Sequence, residues 1–375
     1  MLLISVVIFG CAAHEKMTKT VIDPIPVPEK AETVFYPMPP QKPRLQFLLS
    51  ITSEEDLGKK TVNPSSFKQG DSPKKIAKAY DIEAVQGKIY ISDINYKIIS
   101  IVDLEKKEFT HIKNSSYTGR YFPTPAGIWV TENDYKYVAD FKKKQIVVFD
   151  NNNNFFRHYG EDGQFDKPVD TAVFENKIYV CDMNKHMVIV IDKDSGKTIQ
   201  KIGGIGKKEG TFYKPSHVIV DKQGYLYVND SFNFRVQKFD PNGNFLKKFG
   251  FPGDTLGAFA RPKGLDIDRE GHLYVVDSAF ENVQVFDDKT TDLLLFFGGF
   301  GTAPGSMFLP SGLHIDYHNV RYFKEYVDKN FSLKYLVYVS NMWGARKLNV
   351  YGFGEWIGAP LPDMGEKEME DKGKK

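Results

Sequence analysis

Short runs of alternating hydrophobic and polar residues recur along most of this chain, each followed by residues typical of turns. Six of the runs have a tyrosine in their second position and end with Asp or Asn. They are Ile89–Asp93, Lys136–Asp140, Ile178–Asp182, Leu226–Asp230, Leu273–Asp277 and Val337–Asn341. Alternation with a period of two, bounded by Gly, Asp and Asn, predicts β-strands rather than helices.

Each tyrosine lies within a wider repeat of the same kind. In the fourth repeat, four short strands are predicted in Pro215–Asp221, Gly224–Tyr227, Val236–Asp240 and Asn244–Gly250. Repeats of about 40 to 50 residues with four strands each are typical of propeller blades. We therefore predict an all-β fold, a six-bladed β-propeller of four-stranded antiparallel blades. A solenoid is the alternative, but it would need a cap at both ends.

The sixth repeat favours a closed ring. It offers only three strands, in Gly312–Asp316, Tyr335–Ser340 and Lys347–Tyr351. The segment Arg44–Ser50, before the first repeat, has the pattern of a fourth strand. Its pairing with Lys347–Tyr351 would complete the last blade and leave no open sheet edge.

Composition and charge exclude several classes of function. Fifty basic and 48 acidic side chains leave a formal charge of +2, which gives no general field for nucleic acid. The two cysteines, Cys11 and Cys181, have unlike surroundings and no CxxC or zinc-site spacing accompanies them. Cys181 lies in a repeat strand and is interpreted as a small buried residue.

The N-terminus has the features of a targeting signal. Residues 1–10 are apolar but too few to cross a bilayer, and they end at Gly10 and Cys11. This resembles a bacterial lipoprotein signal, so residues 1–11 are expected to be a signal peptide whose Cys11 becomes lipidated. The alternative is an ordinary secretory signal in which the cysteine is accidental.

Proline-rich and charged segments flank the repeats. Residues 12–43 contain seven prolines and no hydrophobic period, which predicts an extended tether. Residues 44–358 are expected to form the propeller, and residues 359–375 a charged, disordered tail. With Ala12 following the cysteine, the expected location is the bacterial cell envelope, with the outer membrane favoured and the domain periplasmic or surface-exposed.

Two repeats carry a recognisable signature. Phe212–Pro215, Leu226–Val228, Asp230, Asn233 and Arg235–Gln237 closely resemble the NHL repeat, and the repeat that begins at Phe259 matches it nearly as well. The other repeats depart from it, with Lys143, Lys185 or Gly344 where Asn233 stands. The chain thus resembles NHL-repeat six-bladed propeller lipoproteins of bacteria, a class of unassigned function. The resemblance implies the fold and carries little information about activity.

Six residues occupy equivalent places at the start of the inner strands, and some of them are candidate ligands. These are Asp81, Gly127, Asp170, His217, Gly264 and Gly312, going around the ring. Asp81, Asp170 and His217 could hold a divalent metal ion in the central channel, although no cofactor is required by the sequence. The NHL-like peptidyl-amidoglycolate lyases place metal-binding histidines at such positions, which implies a metal-assisted lyase or hydrolase as an alternative function. His314 is expected to face inward, deeper in the channel.

The recurring Asp and Asn residues, from Asp93 to Asn341, are interpreted as acceptors for turn amides because every blade repeats them. The glycine-rich segments Gly203–Gly206 and Gly298–Gly301 are interpreted as turns, since no helix follows to bind phosphate. A roughly 17-residue excess in the sixth repeat contains Val320, Phe323 and Val327 at helical spacing, which predicts a short docked helix.

Loops after the second strands resemble a binding surface, because they mix aromatic, methionine and cationic side chains. The candidate partner-binding residues are Phe141, Lys142, Lys143, Met183, Phe232 and Trp343. No catalytic motif such as GxSxG, HExxH or a Walker loop is present. The sequence therefore predicts a membrane-anchored protein-binding or scaffold module whose partner is another envelope or extracellular protein. Binding of a polysaccharide or small ligand in the channel is a third possibility.

Overall fold

The fold was analysed in a computed structural model, which describes residues 33–38, 40–58, 74–112 and 122–359. The chain begins with β1 (Phe35–Tyr36), β2 (Leu45–Ile51) and a 3₁₀ helix, Glu54–Leu57. Six antiparallel sheets then form the blades of a propeller, each built from strands consecutive in sequence except the last. The predicted six-bladed, all-β fold is confirmed.

Within each blade, the first strand lines the central channel and the later strands lie progressively further out. In blade 6 the outermost strands are instead β2 and β1. Blade 1 consists of β3 (Ala79–Val85), β4 (Lys88–Asp93), β5 (Ile98–Asp103) and β6 (Glu108–Ile112). Blade 2 consists of β7 (Pro125–Val130), β8 (Lys136–Asp140), β9 (Gln145–Phe149) and β10 (Phe155–Tyr159). Blade 3 consists of β11 (Pro168–Phe174), β12 (Lys177–Asp182), β13 (Met187–Asp192) and β14 (Thr198–Gly203).

The second half of the ring repeats this plan. Blade 4 consists of β15 (His217–Val220), β16 (Leu226–Asp230), β17 (Arg235–Phe239) and β18 (Phe245–Phe249), with a 3₁₀ helix at Ser231–Asn233. Blade 5 consists of β19 (Pro262–Ile267), β20 (His272–Asp277), β21 (Asn282–Asp287) and β22 (Leu293–Gly298). Blade 6 consists of β23 (Pro310–Asp316), a 3₁₀ helix at Val320–Tyr326, β24 (Phe331–Asn341) and β25 (Leu348–Trp356).

The ring closes as the sequence predicted. Strand β2 pairs antiparallel with β25, with Phe47 opposite Tyr351 and Ile51 opposite Leu348. Strand β1 adds a fifth strand to this sheet, where Phe35 lies opposite Gln46. The sheet of blade 6 therefore includes Phe35–Tyr36, which lie within the segment that the sequence placed in the tether. Residues 1–32 and 360–375 lie outside the described residues.

The hydrophobic core lies between neighbouring blades. Tyr90 of blade 1, for example, packs in one cluster with Val138 and Phe149 of blade 2. Its hydroxyl group also donates a hydrogen bond to Asp134 of blade 2, at 2.6 Å. The repeating tyrosines thus join blades, because each large ring fills the space between two twisted sheets.

The inserted helix of blade 6 was also predicted correctly. Phe323 is buried, and Val320 and Val327 pack against the same core cluster. Its 3₁₀ form differs from the α-helix that the spacing suggests, and the long strands β24 and β25 account for the rest of the excess residues.

The Asp and Asn residues that close the second strands accept hydrogen bonds from backbone amides, as predicted. Asp182 accepts from the amides of Asp166 and Lys167 before its blade, and from Asn184 and Lys185 after its strand. Each such carboxylate ties two loops together at one face. We call this the upper face; it is formed by the loops between second and third strands and by the connections between blades. The lower face carries the other loops.

Candidate functional site

The upper part of the channel is a narrow neck formed by the inner strands. Asp81 Oδ2 accepts a hydrogen bond from the amide of Ile128 in blade 2, at 2.9 Å. Asp170 Oδ2 accepts one from the amide of Val218 in blade 4, at 2.8 Å. These two carboxylates therefore join neighbouring blades.

Glycines let the inner strands approach each other in this neck. A Cβ atom on Gly127 would lie 2.6 Å from the Cα of Asp170, and one on Gly312 would lie 2.7 Å from the Cα of Asp81. Real Cβ atoms do not come so close to other backbones, so only glycine fits at both positions.

His217 is buried at the same level of the ring, and its imidazole stacks on Tyr80 of blade 1 with ring centroids 6.0 Å apart. Its Nδ1 lies 3.2 Å from Ser216 Oγ, while Nε2 has no partner. Burial, together with the nearby charge of Lys263, lowers the pKa of His217 to about 3. The imidazole is therefore neutral at physiological pH.

The predicted metal ligands do not fit a metal site. Asp81 and Asp170 each use an oxygen for the amide of the next blade, and His217 is the single histidine at these six equivalent positions. Among the described residues, no group of three His, Cys, Asp or Glu side chains could hold a metal ion. We therefore derive no reaction step through a metal.

Cys181 is fully buried, and burial raises the pKa of its thiol well above the usual range. This confirms its interpretation as a core residue.

The buried carboxylates of the neck predict an unusual dependence of stability on pH. Burial, with a smaller contribution from Asp266, raises the pKa of Asp81 to about 7. In the unfolded chain this carboxyl ionises near pH 4, so stability should fall as the pH rises from about 4 to 7. Urea unfolding should show that the Asp81→Asn variant loses about 2–3 kcal/mol less than the wild type between pH 5 and pH 8.

The matched control is Asp240→Asn, because Asp240 lies in an exposed turn and its pKa is lowered by hydrogen bonds from Asn244. Burial of His217 makes stability rise with pH below about 6.5, which opposes the effect of Asp81. This contribution is the same in the wild type, in Asp81→Asn and in Asp240→Asn. An Asp81→Asn variant with the pH profile of the wild type would contradict the prediction.

The predicted partner-binding residues all lie on the upper face, but they differ in exposure. Phe232 is 58% exposed and Trp343 is 52% exposed. Phe141 is partly covered by Lys167, whose Nζ lies 5.3 Å from the ring centroid, and Met183 packs against the core between blades 3 and 4. The loop of blade 2 that contains Phe141 also carries Lys142 and Lys143.

Further exposed apolar side chains lie on the upper face of blades 4 to 6, where the sequence did not predict them. They are Ile205, Tyr213, Phe251, Leu256, Phe300 and Phe308. Together with Phe232 and Trp343 they form what we call the apolar arc. The signal for them was present, because Ile205 and Phe300 lie in the two glycine-rich segments interpreted as turns, and an apolar residue at an exposed turn is unexpected.

Aromatic contacts organise the apolar arc into local groups. Phe300 and Phe308 have ring centroids 5.8 Å apart, and the amide of Trp343 donates to the carbonyl of Phe308. In blade 4, Tyr213 lies edge-on to Phe232 at 5.9 Å. The loops themselves hold these two groups of side chains in place.

Cys11, the predicted lipidation site, lies outside the described residues. Within residues 33–38, 40–58, 74–112 and 122–359, no helix is long and apolar enough to cross a membrane.

No family model matches the chain. It is 31% identical over 106 residues to a probable peptidyl-alpha-hydroxyglycine alpha-amidating lyase of Caenorhabditis elegans, covering 27% of this chain and 30% of that protein. It is 30% identical over 128 residues to the protein Brain tumor of Drosophila melanogaster, covering 33% of this chain and 12% of that protein. The chain thus spans less than a third of either relative.

Solved structures share the fold at low identity. A protein of unknown function from Bacteroides thetaiotaomicron matches with a TM-score of 0.57 and 17% identity, over 82% of this chain and 75% of its own. An auxiliary nutrient binding protein from Bacteroides ovatus matches with a TM-score of 0.56 and 11% identity, over 83% and 77%. The chain is a six-bladed β-propeller whose matched relatives are NHL-repeat proteins, as the sequence predicted.

Proposed function

We propose that this propeller is a non-enzymatic protein-binding module of the cell envelope, which binds its partner through the apolar arc and is held at the membrane by a lipid on Cys11. The observation that supports the binding role is the exposure of eight large side chains on one face. Large apolar side chains grouped on one face are typical of surfaces that meet another molecule.

Charge on the upper face indicates what such a partner would present. Lys78 Nζ lies 4.9 Å above the ring of Trp343, at one end of the apolar arc. Lys207, Lys208 and Lys214 belong to the connection between β14 and β15, which also contains Ile205 and Tyr213. A partner with an apolar ridge bordered by Asp and Glu would therefore complement the surface.

The positions of the exposed aromatics favour protein over small-ligand binding at this face. They spread over the loops of three blades, whereas the residues of a small-molecule site converge on one concave pocket. Flat surfaces with central aromatic anchors are typical of protein interfaces.

Site-specific photo-crosslinking in cells that express the full chain tests the proposal. A photoreactive residue at Phe300 or Trp343 should give an adduct with one protein, and both positions should trap the same protein. Matched controls are Phe156 and Leu294, which are 57% and 52% exposed but lie on the outer strands β10 and β22.

Equal adducts at the outer strands, or none at the apolar arc, would refute the binding face. The anchor is tested separately by mass spectrometry of the mature N-terminus, where a Cys11 without lipid would refute that part alone.

A further inference from the structure

The lower end of the channel opens into a cavity of about 740 Å³, on the opposite side of the ring from the apolar arc. Inner strands from all six blades line it, together with loops of the lower face. The cavity is large enough for an organic molecule of moderate size, because such sites usually measure about 300–1,000 Å³.

Six structurally equivalent positions lie at the level of the cavity floor, and five of them line it; the exception is Ala172, which is fully buried. Each lies on an inner strand directly opposite the repeating tyrosine of the next strand. Going around the ring from blade 1, they are Glu83, Trp129, Ala172, Ile219, Asp266 and His314. Blades 5, 6 and 1 thus contribute polar residues, and blades 2, 3 and 4 contribute apolar ones. The floor has one ionisable side and one apolar side.

The polar side is a hydrogen-bonded cluster around His314. Its Nε2 lies 3.2 Å from the carbonyl oxygen of Ala84, which can only accept, so Nε2 carries a hydrogen. Its Nδ1 lies 3.2 Å from Glu83 Oε2 and 3.6 Å from Asp266 Oδ2. A second proton is therefore held between Nδ1 and Glu83.

Other contacts keep Asp266 in place. Its Oδ2 accepts from the amide of Ile315, and its Oδ1 accepts from its neighbour Ile267, both at 2.8 Å. Burial raises the pKa of Asp266, and burial together with the charge of Asp266 raises that of Glu83 well above its usual range. Raised pKa values mean that these carboxyls favour an attached or neighbouring positive charge over bare negative charge, because water screens the site poorly.

Two of the three Lys and Arg residues in the cavity lining contact other side chains, and the third is Lys222. Lys238 pairs with Asp288 at 2.6 Å, and the guanidinium of Arg269 stacks over Tyr317 at 3.9 Å. None of the six floor positions is Lys or Arg. The floor positions themselves therefore place no fixed cation beside Glu83 and Asp266.

The apolar side offers a broad surface across the cavity. Trp129 packs against the clusters between blades 2, 3 and 4, with part of its ring left accessible, and Ile219 and Phe174 lie beside it in the lining. An indole ring at this place provides apolar area and a face that attracts cations.

We propose that the lower cavity binds a small organic cation, an amine with an apolar body, whose ammonium group lies on Glu83 and Asp266 and whose body lies on Trp129 and Ile219. The division of the floor into an acidic side and an apolar side carries this assignment. Anionic ligands would meet the carboxylates of Glu83 and Asp266 and would be repelled.

Calorimetric titration with three ligands of one shape tests the charge requirement. The probes are 2-phenylethylamine, 2-phenylethanol and phenylacetate, which are cationic, neutral and anionic. We expect the amine to bind with a Kd of about 1 mM or tighter, the alcohol about tenfold more weakly, and phenylacetate not at all. Phenylacetate binding as tightly as the amine, or no binding of the amine, would overturn the proposal.

Two variants assign the contacts. Glu83→Gln should weaken the amine about tenfold and leave the alcohol nearly unchanged, whereas Trp129→Ala should weaken both. Glu161→Gln, an exposed carboxylate of the upper face, is the control and should change neither. An unchanged preference for amine over alcohol in folded Glu83→Gln protein contradicts the assignment. If that variant does not fold, the ranking of the three probes on the wild type decides.

Discussion

Replacement of Asp230 by Ala is expected to destabilise the propeller by about 3–5 kcal/mol, because it leaves a buried guanidinium without its carboxylate. Arg235 Nε donates to Asp230 Oδ2 at 2.9 Å, and the two side chains are 8% and 0% exposed. Asn233 and Gln237 donate to the same oxygen, at 2.8 and 3.1 Å. All three donors would lose an acceptor that water cannot readily replace.

The loss should also reach the apolar arc. Asp230 Oδ1 accepts the amide of Tyr213, and Phe232 in turn donates its amide to the carbonyl of Tyr213. Chemical unfolding measures the stability effect, and photo-crosslinking at Phe232 measures the effect on the surface.

Asp240→Ala is the matched control, since Asp240 also accepts turn amides, from Asn242 and Asn244, but is exposed and lacks an arginine partner. It should cost no more than about 1 kcal/mol. A similar loss of stability in the two variants would show that the buried ion pair contributes no more to stability than the turn hydrogen bonds of Asp240.

Replacement of Gly127 by Ala is expected to destabilise the propeller by about 3 kcal/mol or more, because the new methyl group would overlap the backbone and carboxylate of Asp170. Asp170 cannot move away easily, since its carboxylate holds the amides of Thr171 and Val218. Relief of the overlap would require blades 2 and 3 to separate at the neck. Thermal and urea unfolding measure the effect.

Gly163→Ala provides the control for this substitution. Gly163 has a φ of +72°, which an alanine adopts reluctantly, but no atom lies within 4 Å of the added Cβ. That variant should lose only about 1 kcal/mol. If Gly163→Ala were as damaging as Gly127→Ala, backbone conformation and not close approach would explain both.

The framework of the fold was predictable from local pattern. The six tyrosine strands, their terminal Asp or Asn residues and the closing strand Leu45–Ile51 all follow from a period of two and from turn residues at regular intervals. Such signals are carried by neighbours in sequence, and six repetitions make them hard to mistake. The helix at Val320–Tyr326 was predictable for the same reason.

The candidate sites were predicted less completely. The sequence pointed to the level of Asp81 and His217, which is a glycine-lined neck, whereas the cavity floor lies two residues further along the strands. His314 was expected to face inward, but Glu83 and Asp266 were missed. On the upper face, the sequence identified Phe232 and Trp343 but not Phe251 and Phe300. The exposure of a side chain in a turn depends on its contacts with other parts of the chain, which are distant in sequence.

By itself, then, the sequence determined the number of blades, the closure of the ring and the strands that build each blade. Only the tertiary structure decided which unlike residues meet. Glu83, Asp266 and His314 are separated by 48 to 231 residues in the chain and come together because closing the ring places blades 5, 6 and 1 side by side. Contacts between repeats arise from packing around the ring, and no local pattern encodes them.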